Sequence, residues 1–233
     1  MTKVEIPEVH VRKGQLTRNA ILECAQEIAE RLGLHSVTLG PLAEKLGMSK
    51  SGLFAHYRSR EDLLLAVLYK TRDEFLEEVF YPTLKEPRGL PRLRALLKAW
   101  IGRYQRSIGC IFLSAAADLD GRPGVLRDAI LDVHKRWSEA VTLCIVHAQE
   151  LGQVSREVSA EQLTYELYGV VLASHHYRHV LLDSKAAEKA ETSTAYILDR
   201  HLVGEPPVVT PAKPKRSRAA LPQSTVPKKA PKA

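Results

Sequence analysis

Few side chains in this 233-residue chain have the types and spacing for bond-making chemistry. His175 and His179 lie four apart and would share a helical face beside His176, the spacing of two metal-ligating imidazoles. No third ligand accompanies them, and histidine also serves at helix–helix contacts, so a structural or surface role is expected, with no metal and no cofactor. Asp118 and Asp120 form a carboxylate pair, but they precede Gly121-Arg122-Pro123-Gly124, where aspartate is expected as a turn former. Cys24, Cys110 and Cys144 are odd in number and far apart, which suits reduced, buried thiols better than a disulfide. There is no nucleophile elbow, phosphate-cradling glycine loop or triad, so no enzymatic activity is expected.

Recognition chemistry is better represented. Ser49, Lys50, Ser51, Gly52, Leu53 and Phe54 follow a glycine turn, with Thr38, His56, Tyr57 and Arg60 around them. The elements that must position them are two short helices over 38–57. Thr38 is an N-cap candidate, and Leu39, Leu42, Ala43 and Leu46 give one apolar face. Gly47 can end that helix, and Ser49 can cap the next. This is a helix-turn-helix whose second helix can enter a DNA major groove with its N-terminal side chains toward base edges. Lys50, Ser51, Gly52 and Leu53 are the expected base-facing residues, Lys50 meeting a guanine edge or a phosphate. Thr38, Ser49, Phe54, His56, Tyr57 and Arg60 are expected to position the backbone or orient the helix. Phe54 and Tyr57 are equally suited to anchor the core.

An amphipathic helix over 17–32 precedes this unit, with Ile21, Ala25, Ile28 and Leu32 on one face. Ser59-Arg60-Glu61-Asp62 opens a long fourth helix like a capping box. The segment 18–68, RNAILECAQEIAERLGLHSVTLGPLAEKLGMSKSGLFAHYRSREDLLLAVL, resembles the tetracycline-repressor-type (TetR) family of transcriptional regulators. Pro41 stands where members usually carry an acidic residue, so Thr38 could cap only through the Gly40 amide. Gly40 replaces a frequent backbone-contacting arginine, and Arg60 keeps the charge of the usual lysine.

The remaining helical patterns run over 91–104, 111–119, 123–151, 159–182 and 185–202, with no strand-like alternation. The fold class is all-α, about nine helices: a helix-turn-helix domain over 17–60 and a helical ligand-binding and dimerisation body over 61–203. Residues 1–16 are expected as a flexible arm. There, Arg12 and Lys13 either reach DNA or form a solvated leader. Residues 204–233 hold seven of the thirteen prolines and a net +6, against +3 over 1–72 and −2 over 73–203. That tail is expected to be disordered, either adding salt-sensitive DNA affinity or merely solubilising the chain.

The resemblance implies a homodimer through the last two helices, a double-stranded DNA operator and a small-molecule effector. It places a pocket among Trp100, Tyr104, Phe112, Trp137, Tyr168 and Tyr177, although aromatic stripes at helical spacing are also ordinary core. The function it implies is a repressor released from a palindromic operator by the effector. The alternative is a dimeric DNA-binding regulator without effector, whose body serves dimerisation or protein partners. No run is long and apolar enough for a membrane span and the N-terminus lacks a signal-peptide core, so a cytoplasmic location is expected.

Overall fold

The computed structural model describes residues 13–204; the expected tail from residue 205 on, all of the expected arm before Lys13, and Arg12 within it lie outside them. Helix α1 (Lys13–Leu32) leads through a short 3-10 turn (Leu34–Ser36) to α2 (Leu39–Lys45) and α3 (Lys50–Phe54). Helix α4 (Arg60–Phe75) continues into a wide π-helical turn (Leu76–Phe80) and a tight 3-10 turn (Tyr81–Lys85). Helices α5 (Leu90–Arg106), α6 (Ile111–Asp118), α7 (Val125–Glu150), α8 (Ala160–His179) and α9 (Ala186–Asp199) complete the described chain. The architecture is all-α, and among the described residues extended pairing is limited to a lone antiparallel bridge, Val154 to Leu202.

Several boundaries differ from expectation: α8 closes at His179 and α9 at Asp199, each three residues before the expected 182 and 202. Helix α1 begins at Lys13, so residues 13–16 are helix and not arm. Regular α-helix in the fourth element stops at Phe75, ahead of the tightened turn that contains Pro82, which has no N–H for an intrahelical bond.

Serine side chains cap the starts of α3, α4 and α8. Ser49 Oγ accepts from Gly52 N at 3.0 Å, Ser59 Oγ from Asp62 N at 3.0 Å, and Ser159 Oγ from Gln162 N at 2.9 Å. Asp62 returns a bond by accepting from Arg58 N at 3.0 Å. Thr38 occupies the N-cap position of α2 but its hydroxyl caps nothing; with Pro41 third in that helix, the usual N–H donor is missing. The α2–α3 turn closes on Gly47 at φ +63°, where a side chain would be strained.

Two apolar clusters form. The first packs Ile21 and Ala25 of α1, Leu42 of α2, Leu53 of α3 and Leu63 and Leu64 of α4. It also takes in Ile111, Phe112 and Ala115 of α6 and Ile130 of α7, so it is not confined to the first four helices. The second is built on Leu93, Leu96 and Trp100 of α5, Val141 and Ile145 of α7, and Leu163 and Leu167 of α8. Cys110 packs against both. Its neighbour Gly109 lets α6 approach α1, since a Cβ there would stand 3.1 Å from the Glu30 carbonyl oxygen.

Removing the Ser59 cap leaves the first turn of α4 short of an acceptor. Ser59→Ala is expected to lower stability by about 1 kcal/mol, read as a reduced urea midpoint with unchanged slope.

Candidate functional site

Helix α3 has five residues, too few to hold its own direction, so its neighbours orient it. Leu53 is fully buried and Tyr57, just past the helix, is fully buried too. The Tyr57 hydroxyl donates to the Arg18 carbonyl at 3.3 Å, and the Arg18 guanidinium lies 4.2 Å from the ring centroid. Arg18 also donates to the His56 carbonyl, clasping the end of α3 onto α1. Arg60 donates from Nε to the Val37 carbonyl (2.6 Å) and from Nη2 to the His35 carbonyl (2.8 Å), stapling the approach to α2.

These positions sort the sequence-predicted residues. Lys50 and Ser51 are exposed at the leading end of α3, beside exposed Ser49 and Thr38. Ser49 and Ser51 hydroxyls are 3.0 Å apart. The Lys50 stem lies across α2: a Cβ on Gly40 would be 3.3 Å from Lys50 Cε, so the glycine leaves room for the lysine. Gly52 is half-buried against the Ser49 hydroxyl, Phe54 is exposed, and His56 is half-buried. Leu53 is a correction. It was expected to face bases, and the structure turns it into the first cluster with Ile21 of α1 and Leu42 of α2, because a five-residue helix needs a buried apolar anchor to hold it. Arg58, exposed in the turn after α3, is a cation that spacing arguments passed over; its signal was the charge run with Arg60.

The body contains a cavity of about 140 Å³. Trp100, Tyr104, Phe112, Trp137 and Tyr168, five of the aromatics singled out in the sequence, line it. Tyr177 does not; it is 42% exposed and belongs to a groove between α8 and α9, because α8 points it away from the bundle. Phe75, Phe80, Cys110 and His134, with Arg72, Arg136, Leu76, Val133 and Ala140, complete the wall and were missed. The aromatics near the end of α4 were their available signal. The rings meet edge to face: Phe75 with Trp137 at 4.7 Å, Trp100 with Trp137 at 5.1 Å, Trp100 with Tyr168 at 4.9 Å. His134 Nδ1 is 2.9 Å from the Tyr168 hydroxyl. Burial pushes Tyr168 up to about 12 and pushes His134 down, so both are neutral near pH 7.

Helix α4 joins the two places. Leu63, Leu64, Val67 and Leu68 sit in the first cluster under α3, while Arg72 and Phe75 and the following turn line the cavity. Phe112 of α6 does the same within one side chain. Asp118 at the end of α6 meets His35 at 3.1 Å across the α1–α2 connection.

The histidines lie elsewhere. His175 and His179 have ring centroids 4.5 Å apart, His175 packs edge-on to Tyr104, and His179 Nε2 is 3.1 Å from the Tyr104 carbonyl. Among the described residues no group of three or more His, Cys, Asp or Glu side chains is placed to hold a metal ion. All three cysteines are free.

Comparison with known proteins accords with this geometry. Residues 21–67 match the family model "Bacterial regulatory proteins, tetR family", and residues 89–194 match "Tetracyclin repressor-like, C-terminal domain". The chain is 24% identical over 168 residues to the HTH-type transcriptional regulator TtgR of Pseudomonas putida, covering 68% of this chain and 78% of that one. Its fold is shared with a TetR transcriptional regulator from Chloroflexus aurantiacus (TM-score 0.74, 22% identity, 82% of this chain and 98% of that one). It is shared also with AibR, solved in complex with isovaleryl coenzyme A and operator DNA (TM-score 0.62, 21% identity, 78% and 97%).

Lys50→Ala is expected to weaken binding to selected DNA about tenfold with an unchanged melting temperature, whereas Leu53→Ala is expected to cost about 2–4 kcal/mol of stability. Fluorescence anisotropy and urea unfolding on both variants separate the two effects. Burial, then the charges of His179 and His176, push His175 down to about 4 from its ordinary 6.5. The unfolded chain therefore takes up this proton first, and stability falls as pH drops from about 6.5 towards 4. The stability advantage of the native chain over His175→Gln is expected to shrink across that window, read from urea midpoints at pH 7 and pH 5.

Proposed function

Because the chain belongs to the tetR family of bacterial transcriptional regulators, we propose that it is a homodimeric repressor released from a palindromic operator when a small molecule fills the cavity of its body. The observation that carries this reading is the double membership of α4, which shares an apolar cluster with Leu53 of the recognition helix at one end and forms cavity wall at the other. A ligand that favours one packing of α4 biases the position of α3 on DNA. Lys50 and Ser51 read or grip the groove, Arg58 and Thr38 flank them, Arg18 and Tyr57 hold the end of α3 in place, and Arg60 holds the approach to α2. The protein acts by binding and not by catalysis. Its workplace is the cytoplasm, where the DNA is. No helix among the described residues is long and apolar enough to cross a membrane.

Dimerisation is assigned to α8 and α9. Tyr165 of α8 is 76% exposed and Tyr196 of α9 is 66% exposed, and Leu181 and Leu182 between the helices are exposed as well. Such a surface suits a two-fold partner, which would set two α3 helices about 34 Å apart in successive major grooves. Gly169 lies exposed on α8, and a methyl added there would meet nothing within 4 Å, leaving space for a second helix to approach closely.

Selection from a random DNA pool is expected to enrich an inverted repeat bound by two copies of the chain. Enrichment of nothing, with salt-sensitive binding lost on deleting residues 205–233, would refute the reading. Gly169→Leu is expected to leave the protomer helical and folded but monomeric in sedimentation, with loss of operator affinity. A dimer that persists would move the interface elsewhere.

A further inference from the structure

The chemistry of the cavity wall narrows what can occupy it, granted the reading of the body as an effector-binding domain. The volume of about 140 Å³ suits roughly one six-membered ring; a cavity of similar size lined by apolar side chains holds benzene. Seven aromatic side chains contribute to the wall, and no aspartate or glutamate does. The charged groups that line it are two guanidiniums, Arg72 from α4 and Arg136 from α7. Their side chains are 35% and 74% exposed, which places them where the chamber meets solvent.

Both arginines are held by neighbours on their own helices. Arg72 pairs with Asp73 at 2.7 Å and Arg136 with Asp132 at 2.8 Å. Exposed pairs of this kind bind weakly, so the guanidiniums can exchange partners for a ligand oxygen. The Trp137 indole N–H, on a wall residue that is more than nine-tenths buried, has no acceptor. A cation would meet two like charges in the wall, and the carboxylates beside them, Asp73 and Asp132, are paired with those arginines and line no part of the chamber. A ligand with an anionic head gains charge-assisted bonds that a neutral one lacks.

We propose that the effector is a small hydrophobic carboxylate, its ring or branched body in the aromatic chamber and its carboxylate held between Arg72 and Arg136. The neutral state of His134 and Tyr168 fits this arrangement, since no second charge then competes within the chamber. A carboxylate gripped by both arginines ties α4 to α7, and α4 carries the far end of that tie into the core beneath α3.

The test uses the full chain and its own reporters. The chain has two tryptophans, Trp100 and Trp137, and both line the cavity. Tryptophan emission is followed during titration with cyclohexanecarboxylate, cyclohexanecarboxamide and cyclohexyltrimethylammonium, which present similar rings with different heads. The carboxylate is expected to give a saturable change, with the amide at least about tenfold weaker and the ammonium without effect. Arg72→Gln and Arg136→Gln should each weaken the carboxylate about tenfold and leave the amide unchanged, with melting temperatures confirming that the variants fold. Equal or tighter binding of the amide or the ammonium, no saturable binding by any of the three, or indifference to both arginine variants would overturn the proposal. Release of operator DNA is followed in parallel. A non-carboxylate that binds and releases DNA removes the ligand class but leaves the effector-responsive repressor standing. Arginine-dependent carboxylate binding that never affects DNA keeps the class and removes that repressor.

Discussion

The burial of α4 in two cores constrains the rest of the structure. Leu63, Leu64, Val67 and Leu68 are all essentially inaccessible beneath the recognition unit. At about 1.5–3 kcal/mol for each such side chain, sliding that half of α4 against α1 and α3 costs far more than the ~1–3 kcal/mol a ligand commonly supplies as coupling energy. The first half of α4 and the recognition unit therefore move together. Compliance is left to the other end, where the helix widens into its π-helical turn beside the cavity. Polar contacts reinforce the division: Lys70 donates to Gln26 of α1 at 2.7 Å and pairs with Glu74, just before the helix reaches the chamber.

The recognition helix owes its orientation to that packing. Five residues do not make a stable helix in water, and the Ser49 cap satisfies one amide without setting a direction. Leu53 and Tyr57 supply the anchor, and Arg18 completes it by stacking on the tyrosine ring while bonding the chain just beyond the helix. Exposed pairs such as Lys45 with Glu27 at 3.0 Å add little by comparison. The anchor leaves Lys50 and Ser51 exposed at the leading end of the helix.

In the body, aromatic side chains surround a space that they do not fill. Phe75, Trp100, Trp137 and Tyr168 already meet edge to face, an arrangement that satisfies the rings and holds the chamber open between them. Burial keeps the titratable wall groups neutral, and the arginines confine charge to the edge. Apolar rings shape the inside of the chamber and separate, charged residues stand at its mouth.

Much of this was legible from local pattern. Glycine and serine punctuation located the short helices, helical spacing marked the buried faces of α5 and α7, and the run 18–68 carried the family resemblance, because caps, turns and amphipathic stripes are properties of neighbouring residues. Five of the six aromatics assigned to the pocket line it for the same reason, being bulky residues on inward faces. Tertiary structure alone decided the rest. Whether Leu53 faces DNA or the core depends on how a five-residue helix is rolled against α1 and α4, which spacing within the helix does not determine. The cavity draws Arg72 and Phe75 from α4, Cys110 from the loop before α6, and His134 and Arg136 from α7, residues brought together by helix crossings that no local period encodes. The amino-acid sequence by itself determined the elements and their buried faces; the crossing of those elements decided which side chains share a chamber, because a site between helices exists only once they are packed.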